Sequence, residues 1–579
     1  MRVQAVKSKN TTNYYIIRYS RKDGKDSTEI VEKLGNTEFI QKTYDIDDAM
    51  TWAKQHVKEL NEQEKNKNHK ELISFDPNVL INSELKNCFN VGYLFLQQIY
   101  YQLKLPNICK SITKTHSFEY NLDSILSRLI YDRILFPSSK RSCMELSHTL
   151  LEQPDFSLHQ IYKALDVIGD NTDLIQAELY KHSKKLLKRK TGILYYDCTN
   201  YYFEIDDEKG SRKYGFSKEH RPNPIVQMGL LMDRTGLPLA FCINDGNTNE
   251  QTTLKPLELQ IIRELGVNKF IICTDAGLSS YANRKFNNYG ERSFITTQSI
   301  KKLKSDIKEW ALDPHSFHLE GSKETYNLNN LDESINTKNK VFYKQKLIEG
   351  YDEERDVEFN QTLIVTYSSK YKEYQRNVRN NQIDRALKFI DKPSKTDHVN
   401  QNDFKRFVIK NNITNEGELA TKKLYELNQR VIDEEERYDG FYAVCTNLDE
   451  DPEEIVKINK GRWEIEESFR IMKSEFKARP VYLQKDNRIR AHFTTCFISL
   501  LIYRILENKL ENKFTCNTII DKLRNMKITS ISDKGYIPSY TRDNLSDALH
   551  EISGFRTDYE ITTKRSMKGI IRQTKGLKK

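Results

Sequence analysis

The chain has 579 residues and a mass of 68.2 kDa, a length that allows about three or four domains and excludes peptide hormones and small stapled scaffolds. Its 92 Lys+Arg against 82 Asp+Glu leave a net charge of +10, and 30% charged with 37% hydrophobic residues describe a folded protein rather than a disordered one. A pI near 8.8 suits a polyanionic partner without establishing one, because net charge speaks to association and not to fold.

Nine cysteines, an odd number with no Cys-x-x-Cys pair and no histidines at zinc-ligand spacing, read as buried thiols in a reducing compartment. His315 and His318 read as ordinary loop residues rather than ligands. The amino terminus, MRVQAVKSKN, lacks the apolar stretch of a signal peptide. The most apolar segment, 497–505, holds Arg504 and falls short of the ~20 residues that span a bilayer. The expectation is a cytoplasmic protein with no membrane anchor.

In chain order, 13–19 and 27–34 are β-rich runs on either side of Arg21, Lys22, Asp23 and Gly24, which predicts a hairpin because Asp-Gly supplies the positive-φ turn. A helix over 47–63 leads into KNKNHK, a polar stretch that suits a linker. From 91 to 190 the apolar spacing turns helical, broken at Pro106, Pro137 and Pro154, with Ser157 as an N-cap. This block ends in Lys181, Lys184, Lys185, Lys188, Arg189 and Lys190, either a solvated helix face or a surface along a phosphate backbone. The carboxyl-terminal tail, with Lys564, Arg565, Lys568, Arg572, Lys575, Lys578 and Lys579, has a similar character.

The centre changes. Residues 192–196 form an apolar strand ending at Asp197, and 225–232 and 237–243 form two more around the turn Asp233-Arg234-Thr235-Gly236. A helix over 252–265, a strand over 270–273 ending at Thr274 and Asp275, a helix over 280–288 and a strand over 293–297 follow. The succession β-β-β-α-β-α-β is that of a ribonuclease-H-like core, and the fold class is mixed α/β. Strands at 341–347, 363–367 and 407–409 with a charged helix at 371–391 break the order and suggest an insertion. A strand at 440–446, a helix from 455 through 473 and an apolar helix at 491–507 close the core. The domains expected are 1–65, a β-hairpin with a helix; 80–190, helical; 191–298 with 440–510, the core; 299–439, an inserted β-rich domain; and 511–579, a basic region.

Asp197 and Asp275 each follow an apolar strand, and the carboxyl ends of strands in an open sheet are where sites form. Either alone reads as a turn residue; on neighbouring strands the two make a hard-oxygen site suited to Mg²⁺. GRWEIEESFRIMK offers a third acid. At about 100° per residue, Arg462, Glu466, Phe469 and Lys473 share one stripe of a helix, beside an apolar face of Ile465, Met472 and Phe476. The alternative is an amphipathic helix with i,i+4 Arg–Glu pairing. Glu464 and Glu467 point off the apolar stripe, so Glu466 is the glutamate aimed best at the core edge.

Asp197 in YYDCTNYYFE, Asp275 in IICTDAGLSS and Glu466 in GRWEIEESFRIMK together resemble the Asp, Asp, Glu triad of bacterial insertion-sequence transposases. The likeness is greatest to the insertion-sequence-four group, whose third acid sits in a Y-x2-R-x3-E-x6-K signature. Arg462, Glu466 and Lys473 match that spacing, and Asn459 stands at the Tyr position. GLPLAFCINDGNTNEQTTL, YDGFYAVCTNL and SDALHEISGFRTDYEITTK also resemble this group, so the likeness runs along essentially the whole chain. It implies that Asp197, Asp275 and Glu466 hold two Mg²⁺ ions, with Mn²⁺ able to substitute. It further implies water-driven cleavage at the element's ends, then attack of the freed 3′-hydroxyls on target DNA. Arg462 and Lys473 would hold phosphates, and Asn459 would keep the hydrogen bond of the Tyr while losing its ring. His492 reads as a packed core histidine or an accessory to the site. The resemblance also places end recognition in the amino-terminal helices, which makes that region DNA-binding. The inserted β-rich domain falls between Asp275 and Glu466, where 190 residues lie. The partners implied are terminal inverted repeats and target DNA, bound by a homodimer in the bacterial nucleoid. Two alternatives remain at this point: a ribonuclease-H-like nuclease without strand transfer, and a silent, transposase-derived DNA-binding protein.

Overall fold

The chain divides into two units, Met1–Leu85 and Lys86–Ile531 with Gly535–Lys579. The computed structural model describes all residues but 9–10, 23–24, 68–75, 81–82, 84–85, 320, 332–338, 392–402, 414–418, 532–533 and 578–579; for 20–22, 25–27, 63–67, 411–413 and 419–424 it describes the backbone alone. The expected Asp23-Gly24 turn, the last three residues of KNKNHK and the two terminal lysines lie outside the described residues.

In the first unit a strand at Arg2–Lys7 joins the two expected strands, Thr12–Lys22 and Lys25–Asn36, in an antiparallel sheet of three. Asn36 caps the helix Thr37–Tyr44 by accepting from the Phe39 amide at 2.8 Å. Ile40 from this helix and Ala53 and Val57 from Ala49–Lys67 pack on Tyr14, Ile16 and Leu34. The sheet thereby gains the apolar cover that a bare hairpin lacks.

The second unit is built on one sheet of ten strands. In chain order these are β1 (Ile193–Tyr202), β2 (Ile225–Asp233), β3 (Pro238–Asp245), β4 (Phe270–Thr274), β5 (Arg292–Gln298), β6 (Phe317–Leu319), β7 (Thr325–Tyr326), β8 (Phe342–Ile348), β9 (Gln361–Tyr367) and β10 (Phe441–Thr446). Their order across the sheet is β7-β6-β8-β9-β10-β5-β4-β1-β2-β3. Only β1 with β4 and β4 with β5 run parallel. The strands expected at 341–347 and 363–367 therefore extend the central sheet. They are followed by the helix Ser369–Asp391 and a two-stranded ribbon, Val408–Ile413 with Leu419–Leu427.

The apolar alternation along β1 sorts its side chains between two layers. Leu194, Tyr196 and Cys198 pack with Leu254, Leu257 and Ile261 of the helix Leu254–Leu265. Ile193, Tyr195 and Tyr201 face the opposite layer, with Ile465, Phe469 and Phe497. That layer contains α1 (Pro452–Lys460), α2 (Trp463–Arg470) and α3 (Asp486–Lys509). α3 is apolar and long enough to cross a membrane by length and composition, and 94% of its most apolar window is buried inside the fold. It lies against the helices Leu122–Leu135 and Leu158–Asp170 of the 91–190 block. Ser157 caps the second of these and forms a reciprocal box with Gln160.

Three sequence readings need correction. The helix expected from 455 through 473 is broken: α1 stops at Gly461, α2 restarts after Arg462, and the last turn, Ile471–Glu475, is π-helical. Gly461 approaches β1 so closely that a Cβ there would sit 2.2 Å from Tyr195 Oη, and the same hydroxyl donates to Ile458 C=O at 3.1 Å. β1 in turn does not end at Asp197. β2 pairs with it from Leu194 to Tyr202, so the polar run Asp197-Cys198-Thr199-Asn200 continues the strand, with the last three side chains buried. The basic run 181–190 is also not uniform, because Arg189 is buried with Asp233 at 2.5 Å, the two side chains being 2% and 0% exposed.

Candidate active site

β1 and β4 pair in parallel at Ile193 with Ile271, Leu194 with Ile272 and Tyr195 with Cys273. Carried two residues further, this register sets Asp197 level with Asp275, on strands about 4.8 Å apart. Both aspartates share the parity of Tyr195 and Cys273, whose side chains face the α1–α3 layer. Asp197 Oδ1 accepts from the Cys198 amide at 2.7 Å, and Asp275 Oδ1 accepts from the Leu278 amide at 3.0 Å. Each carboxylate thus has one oxygen fixed by backbone, and among the described residues no hydrogen bond is donated to either Oδ2. Burial pushes the Asp197 carboxyl up from 3.8 to about 6; the charge of Asp275 adds to the rise, and Lys218 and Arg462 oppose it.

Three cations surround this pair. Arg462 sits at the start of α2 and donates to Thr297 Oγ1 at 3.1 Å. Thr297 shares a 2.6 Å hydrogen bond with Tyr442 Oη, which accepts from Asn459 Nδ2 at 2.8 Å. This chain of bonds holds Arg462 against the ends of β4 and β5. Lys473, on the π-helical turn, is brought down to about 8 by burial and by the nearby Lys218, with Asp197 opposing. Lys218 comes from the loop between β1 and β2; its Nζ donates to Cys198 C=O at 2.5 Å and pairs with Glu250 at 3.1 Å. Burial alone would lower the Lys218 pKa, but Asp197 and Glu250 raise it.

The helix bearing Glu466 is anchored from behind and below. Buried Arg504 of α3 donates to Ser468 Oγ at 2.9 Å and to Glu464 C=O at 3.2 Å. Arg133 donates to the Phe476 carbonyl at 3.0 Å, where the helical run ends. Glu464 and Glu467 are tied up by Arg504 and Arg470, whereas Glu466 is exposed, one turn beyond Arg462. Among the described residues no three acidic, His or Cys side chains converge closely enough to hold a metal ion. The donor set suits a divalent cation: each aspartate keeps one carboxylate oxygen to which no described residue donates. The three-carboxylate cage for two ions is not assembled.

Asn459 also departs from expectation. It is 5% exposed, and its amide is taken up by Tyr442 and by the Cys273 thiol at 3.5 Å. It is therefore a buried strut under β4 and β10 and not a surface contact for DNA. His492 is a core residue: it is buried, its Nε2 lies 3.0 Å from Ala478 C=O, and burial beside Arg133 and Lys140 holds its pKa well below the usual value. Lys218, Glu250, Thr297 and Tyr442 have no part in the motif reading. A signal for Lys218 existed: antiparallel pairing of β1 with β2 folds the connecting stretch Ser217-Lys218-Glu219-His220-Arg221 back along β1, where Lys218 reaches Cys198 C=O.

An acidic pair on two adjacent parallel strands inside a mixed sheet, ringed by lysine and arginine, belongs to the class of sites that handle anionic substrates through a divalent ion. The chain is a member of the Transposase DDE domain family, which matches residues 198–502, more than half its length. The matched segment contains Asp275, Asn459, Arg462, Glu466 and Lys473 and opens one residue after Asp197. No curated protein matches the chain. Among solved structures, the piggyBac transposase in a synaptic complex with hairpin DNA, determined by cryo-EM, is similar at 9% identity over 84% of each chain, with a TM-score of 0.32.

Proposed function

We propose that the protein is a DNA transposase of the insertion-sequence-four group. It would cut the ends of its own element and join the 3′-hydroxyls to target DNA, acting as a homodimer on chromosomal DNA in the bacterial cytoplasm. The observation that carries this reading is the level pair Asp197 and Asp275, each with one oxygen held by backbone and one free, inside a ring of Arg462, Lys473 and Lys218. The strand order β3-β2-β1-β4-β5, with β1, β4 and β5 parallel and helices on both faces, supports a ribonuclease-H-like core.

Mg²⁺ or Mn²⁺ held by Asp197 and Asp275, with Glu466 drawn in as the third ligand, would supply Lewis-acid polarisation of the phosphodiester and a more acidic attacking water. The remaining work falls to the chain's own side chains. Arg462, aligned by Thr297, presents a planar fork to two phosphate oxygens, and Lys473 presents a point charge. Lys218 offsets part of the cost of ionising Asp197. Joining needs no nucleotide cofactor, since one phosphodiester replaces another.

The test is a joining assay with purified full-length protein, Mg²⁺ or Mn²⁺, labelled terminal-repeat DNA and a supercoiled plasmid. Joined product is expected, and Glu466→Gln should lose it. Cleavage without joining would replace the reading with a nuclease. Full activity of Glu466→Gln would overturn the assignment of the third acid.

A further inference from the structure

The turn after β1 presents an arrangement that the catalytic reading leaves unused. The carboxylate of Glu219 is met by three cations: Lys473 at 3.7 Å, Arg221 at 3.8 Å and Arg479. Lys473 and Arg479 come from the segment after α2, and Arg221 from the same turn as Glu219, so one carboxylate joins two separate stretches of chain. Two of the cations are held independently of it. The Arg221 guanidinium lies over the Tyr202 ring at 4.2 Å, and Lys473 Nζ lies 5.8 Å from the Tyr201 ring. The turn itself is fixed on β1. Asn200 donates to Phe216 C=O at 3.0 Å, Ser217 Oγ accepts from the Arg221 amide at 3.2 Å, and His220 takes a left-handed φ of 54°. Lys218, next to Glu219, reaches Cys198 C=O beside Asp197.

Three positive groups around one half-buried negative group leave a surplus of positive charge, and cations stacked on aromatic rings stay in place when that negative group leaves. Such a site binds a tetrahedral oxyanion at least as well as a single carboxylate. We propose that Lys473, Arg479 and Arg221 form a phosphodiester-binding site that Glu219 fills in the DNA-free protein, so that a backbone phosphate must displace this carboxylate to bring DNA to the aspartates. Glu219 is then an internal competitor: it weakens non-productive binding and keeps the cations apart until DNA arrives. The inference rests on the reading of Lys473 as a phosphate ligand and adds to it the partners of that phosphate and the group it replaces.

The experiment measures binding of full-length protein to a fluorescein-labelled random-sequence duplex by anisotropy, in EDTA, across a range of salt. Glu219→Gln removes the charge and keeps the size. It should bind about five- to tenfold tighter at low salt. Its log-affinity should also fall more steeply with log-salt, by about one phosphate's worth of released counterions, because its cations no longer hold a built-in anion. In Glu219→Gln/Lys473→Ala both gains should vanish. A purely structural role for Glu219 would not steepen the salt dependence. Equal or weaker binding by Glu219→Gln, or a gain that persists without Lys473, overturns the proposal. Should Glu219→Gln fail to fold, Glu219→Asp, which withdraws the carboxylate by one methylene, must bind tighter by a smaller factor, and unchanged binding overturns it equally. A protein that shows these gains but joins no DNA in Mg²⁺ would remove the transposase reading and leave this one standing.

Discussion

Replacing Asp197 with Asn should make the protein more stable while removing its activity, and the gain should depend on pH. The Asp197 carboxyl is raised from 3.8 to about 6, chiefly by burial and then by Asp275, against the pull of Lys218 and Arg462. A raised acid costs stability once it is forced to ionise. The cost is absent well below 3.8, grows as pH climbs through the unfolded and then the folded value, and is complete above about 6. At about 1.36 kcal/mol per unit, it comes to ~3 kcal/mol at pH 7.5 and roughly half of that at pH 5. Asn keeps the shape and carries no charge to desolvate, so the variant should exceed the native chain by those amounts. Urea denaturation of both proteins at pH 5 and pH 7.5, followed by circular dichroism, reads the difference directly, and other titrating groups cancel in the comparison. A variant less stable than the native chain at pH 7.5, or a gain equal at the two pH values, would refute the argument that burial, with Asp275, penalises the ionised Asp197. Added Mg²⁺ should narrow the gap at pH 7.5 by stabilising only the native pair.

Tyr442→Phe removes the hydroxyl that joins Asn459 to Thr297 and leaves a buried amide without its acceptor, which should cost about 1–3 kcal/mol in a denaturation series. Because Arg462 leans on Thr297, strand joining should fall well beyond the change in DNA affinity; activity equal to the native protein would show that Arg462 does not need this support. Arg189→Ala strips the partner from fully buried Asp233 and should cost about 3–5 kcal/mol, while DNA affinity of the folded variant at low temperature stays within twofold. A large loss of affinity with little loss of stability would return Arg189 to the DNA-binding face.

Much of the core was legible because its signals are local. Apolar strands of period two, Asp-Arg-Thr-Gly at a hairpin and the spacing of Arg462, Glu466 and Lys473 each depend on residues close in sequence, and the succession of elements over 193–298 appears as read. What failed depends on partners far away in the chain. Asp197 looked like a strand end because polar residues follow it, yet β2 supplies backbone partners to Tyr202 and so extends the strand. The long helix looked continuous because its periodicity is unbroken, yet Tyr195 presses on Gly461 and splits it. Asn459 looked like a surface contact by its place in a motif, yet Tyr442 and Cys273 enclose it.

By itself the sequence determined the acids, their spacing and the elements that carry them, since helix and strand periodicity and the charge of a side chain are properties of short stretches. Only the tertiary structure decided which groups meet. The parallel register of β1 and β4 levels Asp197 with Asp275, the loop between β1 and β2 brings Lys218 beside Asp197 and Glu219 beside Lys473, and the break at Gly461 parts α1 from α2. Those placements follow from long-range packing, where each contact is set by the strand or helix opposite and not by the neighbours along the chain.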